Sequence, residues 1–304
     1  MGSEMCIRDS VYLVPYDFHE TMVQPLNALH TLPGAIDESA SAAVQIALTG
    51  TDDGQLIFTK SSGKLMAWSA TSPIAHAGST ERIEAFITGL CAVSADEYVT
   101  TVADAAGLAV YGLDAPRRLI AAFQDGTIRD IHLGSDAGDG MVYARMDRTG
   151  DIYRIRRTQL TFAESAGLNT LLDRFVSPVV VATLSQMRVT TVDGETTLRI
   201  EYENGDDNIG QRWFRDENAV TRDEFTDAYL SIIALQFDQT APQEAAGTSL
   251  LADVTFTLRD GSTSTVRYEA CDAFYALVTT DGGGRFLVRL TDVENMLTVL
   301  KACK

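Results

Sequence analysis

The tetrapeptide Ile152-Tyr153-Arg154-Ile155 is the strand-like segment on which the interpretation of this chain depends. It has counterparts in Val11-Tyr12-Leu13-Val14 and in Arg285-Phe286-Leu287-Val288, and each copy leads directly into a helix-like run. The aromatic residues at the second positions are 141 and 133 residues apart. These spacings exceed those of solenoid repeats and match the size of a small domain. The chain therefore reads as domain-sized copies of one unit.

The fullest copy covers residues 44–153 and alternates short strands with turns. Asp-Gly pairs at 53–54 and 125–126 separate two strand pairs and supply the positive φ that tight hairpin turns need. A strand ending in Trp68 leads into a helix whose apolar residues share one face: Ile83, Phe86, Ile87 and Leu90. Pro116 biases Ala115 toward extended geometry, which predicts a loop that enters the next strand. The pattern predicts antiparallel hairpins with a helix between them.

The next copy repeats this order with different residues. Asp-Gly pairs recur at 193–194 and 260–261, and Trp213 follows 145 residues after Trp68. Its helix begins with Thr221 and Glu224 at capping-box spacing, before an apolar face formed by Phe225, Tyr229, Ile232 and Ile233. The recurrence predicts that the two tryptophans are core residues at equivalent places.

Helices are expected after each closing strand, over residues 17–32, 159–175 and 291–302. Pro25 predicts a kink in the first of them, and Thr291 with Glu294 predicts a capping box in the last. The fold class is therefore α+β. We expect tandem repeated domains, each a mostly antiparallel sheet of short strands with a helix packed on one face.

The domain boundaries follow from the same repeats. Residues 44–176 form the second repeat domain and residues 177–304 the third. Residues 11–43 are interpreted as the C-terminal strand and helix of a truncated first repeat. Residues 1–10, MGSEMCIRDS, resemble translated sequencing-adapter sequence and are interpreted as a non-native segment.

Composition excludes some classes of partner. The chain has 304 residues and a formal charge of −18, from 24 basic and 42 acidic residues. Nucleic acid and anionic membrane surfaces repel such a protein. No run reaches the ~18 apolar residues that a membrane-spanning helix needs. Cys91 falls on an apolar helix face, while pairing of Cys271 with Cys303 stays open.

The residue types that often form metal or catalytic sites occur here in patterns that favour structural roles. Acidic turns at 136–140, 204–208 and 281–284 lack the ligand spacing of a calcium loop, and Asp, Asn and Gly are also what turns require. The four histidines, His19, His30, His76 and His132, show no metal-ligand spacing. We therefore predict no catalytic, cofactor-binding or metal-binding residue.

One loop is a candidate partner-binding surface. The loop formed by Tyr111, Leu113, Asp114 and Pro116 is partly apolar, which would suit an exposed surface that binds a partner protein.

A family resemblance rests on the same region. Tyr111-Gly112-Leu113-Asp114-Ala115-Pro116, Asp125-Gly126-Thr127, His132-Leu133-Gly134 and the closing strand at Tyr153 resemble bacterial proteins of the domain-of-unknown-function family 4340. The likeness is strong over 44–175 and weaker over 187–304, where residues 247–250 replace the Tyr-Gly-Leu-Asp element. It implies repeated domains held outside the cytoplasmic membrane by an N-terminal anchor absent from this chain. It also implies genes beside an ABC transporter of gliding-motility type, and no catalytic residues.

Three functions remain open at this point. The first is a non-catalytic extracytoplasmic scaffold or binding subunit of a bacterial envelope complex, with protein partners and no cofactor. The second is a hydrolase or carbohydrate-active protein that uses carboxylates such as Asp114 and Glu97 in an inter-domain cleft. The third is an extracellular module that binds a peptide at an exposed sheet edge.

Overall fold

The computed structural model describes residues 30–61, 67–102, 104–146, 150–202 and 210–302. The expected strand at 11–14, the Pro25 kink and the segment 1–10 lie outside these residues, as do His19 and Cys303. The described strands form two nine-stranded sheets.

The first sheet is antiparallel throughout its described pairings and has the order β4-β3-β2-β1-β6-β7-β8-β9-β5. Its strands are β1 (Ala43–Thr51), β2 (Gly54–Lys60), β3 (Trp68–Ser72), β4 (His76–Ala77), β5 (Glu97–Thr101), β6 (Arg117–Phe123), β7 (Ile128–Gly138), β8 (Met141–Arg145) and β9 (Asp151–Arg156).

The second sheet repeats that order as β13-β12-β11-β10-β15-β16-β17-β18-β14. Its strands are β10 (Leu184–Thr191), β11 (Gly194–Tyr202), β12 (Gln211–Arg215), β13 (Asn218–Val220), β14 (Gln239–Thr240), β15 (Ser249–Leu258), β16 (Thr263–Ala270), β17 (Tyr275–Thr280) and β18 (Arg285–Arg289). Each strand of the first sheet thus has a counterpart nine strands later. We call the sheets, with the helices between and after their strands, the first and second units.

Six α-helices accompany the sheets in the described residues: α1 (Thr80–Ala92), α2 (Ala105–Val110), α3 (Thr161–Glu164), α4 (Leu168–Leu171), α5 (Arg222–Ile233) and α6 (Leu290–Ala302). The apolar stripe predicted for α1 is confirmed, because Ile83, Phe86, Ile87 and Leu90 are all buried. The capping box of α5 is also present: Thr221 Oγ1 accepts from the Glu224 amide, and the Thr221 amide donates to the Glu224 carboxylate at 2.8 Å.

Three local predictions were wrong. Residues 159–175 do not form one helix: a 3-10 turn (Arg157–Leu160), α3 and α4 follow one another, and the chain then becomes extended. The break falls at Gly167, whose backbone is extended and whose residue type is a weak helix former. Thr291 is not a cap, because α6 already begins at Leu290. Trp68 begins β3 and does not end a strand.

Two equivalent turns show the duplication at atomic detail. In the β6–β7 turn the Thr127 amide donates to Asp125 Oδ1 at 2.8 Å, and in the β15–β16 turn the Ser262 amide donates to Asp260 Oδ1 at 2.9 Å. The intervening Gly126 and Gly261 have φ of 91° and 84°. These hydrogen bonds to the ionised carboxylates lower the pKa of both aspartates. The Asp-Gly pairs are therefore turn formers, as predicted.

The two units share one continuous apolar core. The segment that links them, residues 171–176, bonds to both: Leu172 forms an antiparallel bridge with Gly78, and Phe175 forms one with Gln236. The Val176 amide also donates to the Leu235 carbonyl at 3.0 Å. The linker is thus part of the structure of each unit.

His76 lies in the junction between the units. Its ring centroid is 4.9 Å from that of Phe286 and 5.9 Å from that of Phe237, both in the second unit. Its Nε2 is 3.2 Å from the Asp173 carbonyl oxygen. Burial lowers the pKa of His76, although the Asp173 carbonyl and carboxylate and the Phe175 backbone oppose that shift. The junction therefore favours a neutral imidazole.

We expect His76 to make folding sensitive to pH. Because the folded-state pKa lies below the unfolded value of 6.5, its contribution is complete above that pH and decreases as pH falls toward the folded pKa. The wild-type protein should lose about 1 kcal/mol more stability than His76→Gln between pH 7.5 and 5.5. Urea denaturation of both proteins at the two pH values measures this. An equal loss of stability in wild type and His76→Gln would contradict it.

Candidate functional site

The predicted binding loop is partly built into the fold. Leu113 is 3% exposed, and the Ser135 amide donates to the Tyr111 carbonyl at 2.8 Å. Gly112 has a φ of 67°, and a Cβ added there would meet the Ser135 amide nitrogen at 2.8 Å. A Cβ at Gly134 would collide with the Tyr111 carbonyl oxygen. The two glycines thus allow the loop to approach β7 closely.

The rest of the loop faces outward. Asp114 is exposed, and Tyr111 and Pro116 are half-buried. The Tyr111 ring meets Tyr143 of β8 edge-to-face, with the ring centroids 4.9 Å apart. Leu113 therefore anchors the loop, while Tyr111, Asp114 and Pro116 remain the predicted partner-binding surface.

Replacing the anchor should cost stability. Leu113→Ala removes a buried side chain and should lower the free energy of unfolding by about 2 to 4 kcal/mol. The matched variant Asp114→Ala, one residue away and exposed, should change it by less than about 0.5 kcal/mol. Urea denaturation of both variants tests this assignment, and equal effects would refute it.

The two carboxylates named for a hydrolase both belong to the first unit. Glu97 lies on the edge strand β5, and one of its oxygens is 2.8 Å from Arg154 Nη1. Arg154 also donates to the Ala137 carbonyl at 3.1 Å, which joins β9 to the end of β7. The pairing with Glu97 raises the pKa of Arg154. The Glu97 carboxylate thus takes part in a contact that connects three strands.

A second charged cluster lies on strands β6 and β7. One oxygen of Asp130 is 2.7 Å from Arg118 Nη2, and the other is 3.2 Å from His132 Nε2. Burial by itself would raise the pKa of Asp130, but the hydrogen bonds and charges of His132 and Arg118 outweigh it and lower the pKa to about 2. His132 is therefore engaged with a neighbour on its own strand.

Asp130 should stabilise the protein at neutral pH. Because its folded-state pKa is lowered to about 2 from 3.8, its contribution is present above pH 3.8 and disappears as pH falls to about 2. Asp130→Asn should cost about 1 kcal/mol at pH 7 after allowance for solvent screening. Thermal unfolding of wild type, Asp130→Asn and the control Asp114→Asn from pH 7 to 2 measures this contribution. A stability difference between wild type and Asp130→Asn that stays constant across that range would contradict the assignment.

The acidic turns are tied to nearby backbone and arginine groups. Asp136 accepts from the Gly138 amide at 2.6 Å and from Arg157 at 2.6 Å, and Asp281 accepts from the Thr265 amide at 3.0 Å. The acidic segment 204–208 lies outside the described residues. In the part of the chain that the structure describes, no group of three His, Cys, Asp or Glu residues is placed to hold a metal ion.

Sequence reasoning missed a cavity of about 680 Å³ in the second unit. It lies between the β10–β11 hairpin, the edge strand β13 and the end of α6, and its apolar lining is Val189, Val220, Leu297 and Leu300. The sequence feature that could have indicated this cavity is the width of the apolar stripe on α6. Val293, Met296 and Leu300 are buried, whereas Leu297 is only half-buried and faces the cavity.

Comparison with known proteins identifies one family. A family model described as "Domain of unknown function (DUF4340)" matches residues 68–253, which extend from β3 of the first sheet into β15 of the second. The match thus covers parts of both units. Searches of curated proteins and of solved structures found no match. In the described residues, no helix is long and apolar enough to cross a membrane.

Proposed function

The chain belongs to the DUF4340 family, and on that premise we propose that it is a non-catalytic scaffold or binding subunit of a bacterial cell-envelope complex. Each unit is taken as one repeat, a sheet with its helix on a single face. The protein acts outside the cytoplasmic membrane, tethered in its full-length form by an N-terminal anchor. Its partners are proteins, among them subunits of an ABC transporter of gliding-motility type.

This proposal is supported by the duplicated units, which share a core, and by the carboxylates of Glu97 and Asp130, which are used in structural contacts. Glu97 is paired with Arg154, and Asp130 is paired with Arg118 and His132. Catalytic sites usually keep a perturbed acid or base available to substrate. A duplicated body with surface loops suits a protein that holds other proteins.

The role of the loop in such a complex can be tested with the full-length protein. In membranes of cells that express the native gene, chemical cross-linking should join the protein to transporter subunits. Tyr111→Ala should weaken those cross-links while the protein level stays unchanged. Fractionation and mass spectrometry provide the readouts, and Ile128→Ala, an exposed apolar residue elsewhere on the first unit, is the control.

Three outcomes would count against the scaffold or against the role of the loop in it. Recovery of the protein from the soluble cytoplasm would overturn the proposed location. Cross-links equally strong in wild type and Tyr111→Ala would remove the loop from the interface. Loss of stability in Tyr111→Ala with no change in any complex would assign that side chain to packing alone.

A specific observation also favours the peptide-binding alternative. Strand β13 is the last strand of its sheet, and no described segment pairs with its outer edge. Extended peptides add to such edges through main-chain hydrogen bonds.

A further inference from the structure

In the first unit a groove beside the edge strand β4 is filled by the chain itself. The Leu168 amide donates to the Asp53 carboxylate at 2.8 Å, and the Ser79 amide donates to the Leu171 carbonyl at 2.8 Å. Leu172 then bridges Gly78, and the Asp173 amide donates to the Ala77 carbonyl at 2.9 Å. Leu168, Leu171 and Leu172 are all buried. The edge of the first sheet is thus covered by the last turn of α4 and by the chain that becomes extended at Leu172.

The second unit contains the same groove, and its residues can be aligned through shared contacts. Gly78 and Val220 each pair with the tryptophan of the neighbouring strand, Trp68 and Trp213. The next residues, Ser79 and Thr221, are the N-caps of α1 and α5. Ala219 therefore corresponds to Ala77. Asp193 corresponds to Asp53, because each precedes the glycine that begins the second strand of its hairpin.

In the second unit this groove is the 680 Å³ cavity. Helix α6 continues without a break to Ala302, whereas the equivalent part of the first unit breaks at Gly167 and turns back over the sheet. The Thr221 amide donates to Glu224, where Ser79 instead donates to the linker. Lys301 Nζ is 2.6 Å from Asp193, where the Leu168 amide bonds to Asp53.

We propose that this cavity, the β13 groove, binds a short segment of a partner protein with two consecutive large aliphatic residues followed by an aspartate, the second aliphatic residue being extended as Leu172 is. The first unit shows the chemistry in Leu171-Leu172-Asp173. Apolar side chains would enter between Val220 and Leu297, and a backbone amide would donate to the Ala219 carbonyl as Asp173 does to Ala77. The proposal rests on the binding role inferred above but not on the location of the protein.

A partner protein is favoured over a second copy of this chain. Leu171 and Leu172 of any copy are buried in its own junction, so a copy could offer them only by opening its core. The mouth of the groove is adaptable, because the Asp193–Lys301 pair that crosses it is more than half exposed on both sides. Such an exposed ion pair contributes at most about 1 kcal/mol and can be displaced by a ligand.

The test uses the intact chain and a synthetic peptide with the sequence of residues 167–174, Gly-Leu-Asn-Thr-Leu-Leu-Asp-Arg, carrying a fluorophore. Fluorescence anisotropy should show saturable binding. A peptide with both central leucines replaced by aspartate should bind at least about tenfold more weakly, because it lacks the two apolar side chains that would enter the groove. Leu297→Ser should weaken binding of the first peptide to a similar degree. Leu230→Ser on α5, also a partly exposed leucine, should leave it unchanged.

Absence of saturable binding, equal affinity for both peptides, or equal affinity of Leu297→Ser and wild type would overturn the proposal. If Leu297→Ser does not fold, hydrogen exchange of the wild-type protein decides: peptide-dependent protection at 218–220 supports the β13 groove and unchanged exchange there refutes it. These outcomes are separate from the membrane cross-linking, so failure here leaves the scaffold proposal standing.

Discussion

The structure depends on the pairing of residues 171–176 with both units. Leu172 completes the edge of the first sheet at Gly78, and Phe175 bridges Gln236 in the second unit. Arg174 reinforces the second contact, because it donates to the Phe237 carbonyl at 3.1 Å and lies over the Phe237 ring. Burial of leucine side chains contributes about 1.5 to 3 kcal/mol each. Surface ion pairs contribute less than about 1 kcal/mol, so apolar burial dominates this junction.

Much of the fold was predictable from local patterns. The apolar stripes of α1 and α5, the four Asp-Gly turns and the capping box at Thr221 depend on residues close together in sequence, and all are present. The duplication was also visible, because the strands at Tyr153 and Phe286 have the same place in their sheets. These features follow from helix periodicity and turn geometry, which can be predicted well from a single sequence.

The missed features depend on contacts between distant residues. The helix expected over 159–175 breaks where the chain turns to cover β4. The spacing of residues along the sequence does not predict that turn. Leu113 looked like part of an exposed surface but is anchored against Gly134, which lies two strands away along the chain. The burial of His76 against Phe286 and the β13 groove likewise arise from packing between elements that are far apart in sequence.

We infer that the two copies of the unit fold as a single cooperative body through their shared linker. The chain has two tryptophans, one in each sheet, so each can report on one unit. Urea unfolding of Trp213→Phe and Trp68→Phe, followed by the fluorescence of the remaining tryptophan, measures this cooperativity. In each variant the fluorescence transition should coincide with the unfolding transition of the whole chain that circular dichroism records. A fluorescence transition that is separate from the circular-dichroism transition of the same variant would show that the two units unfold independently.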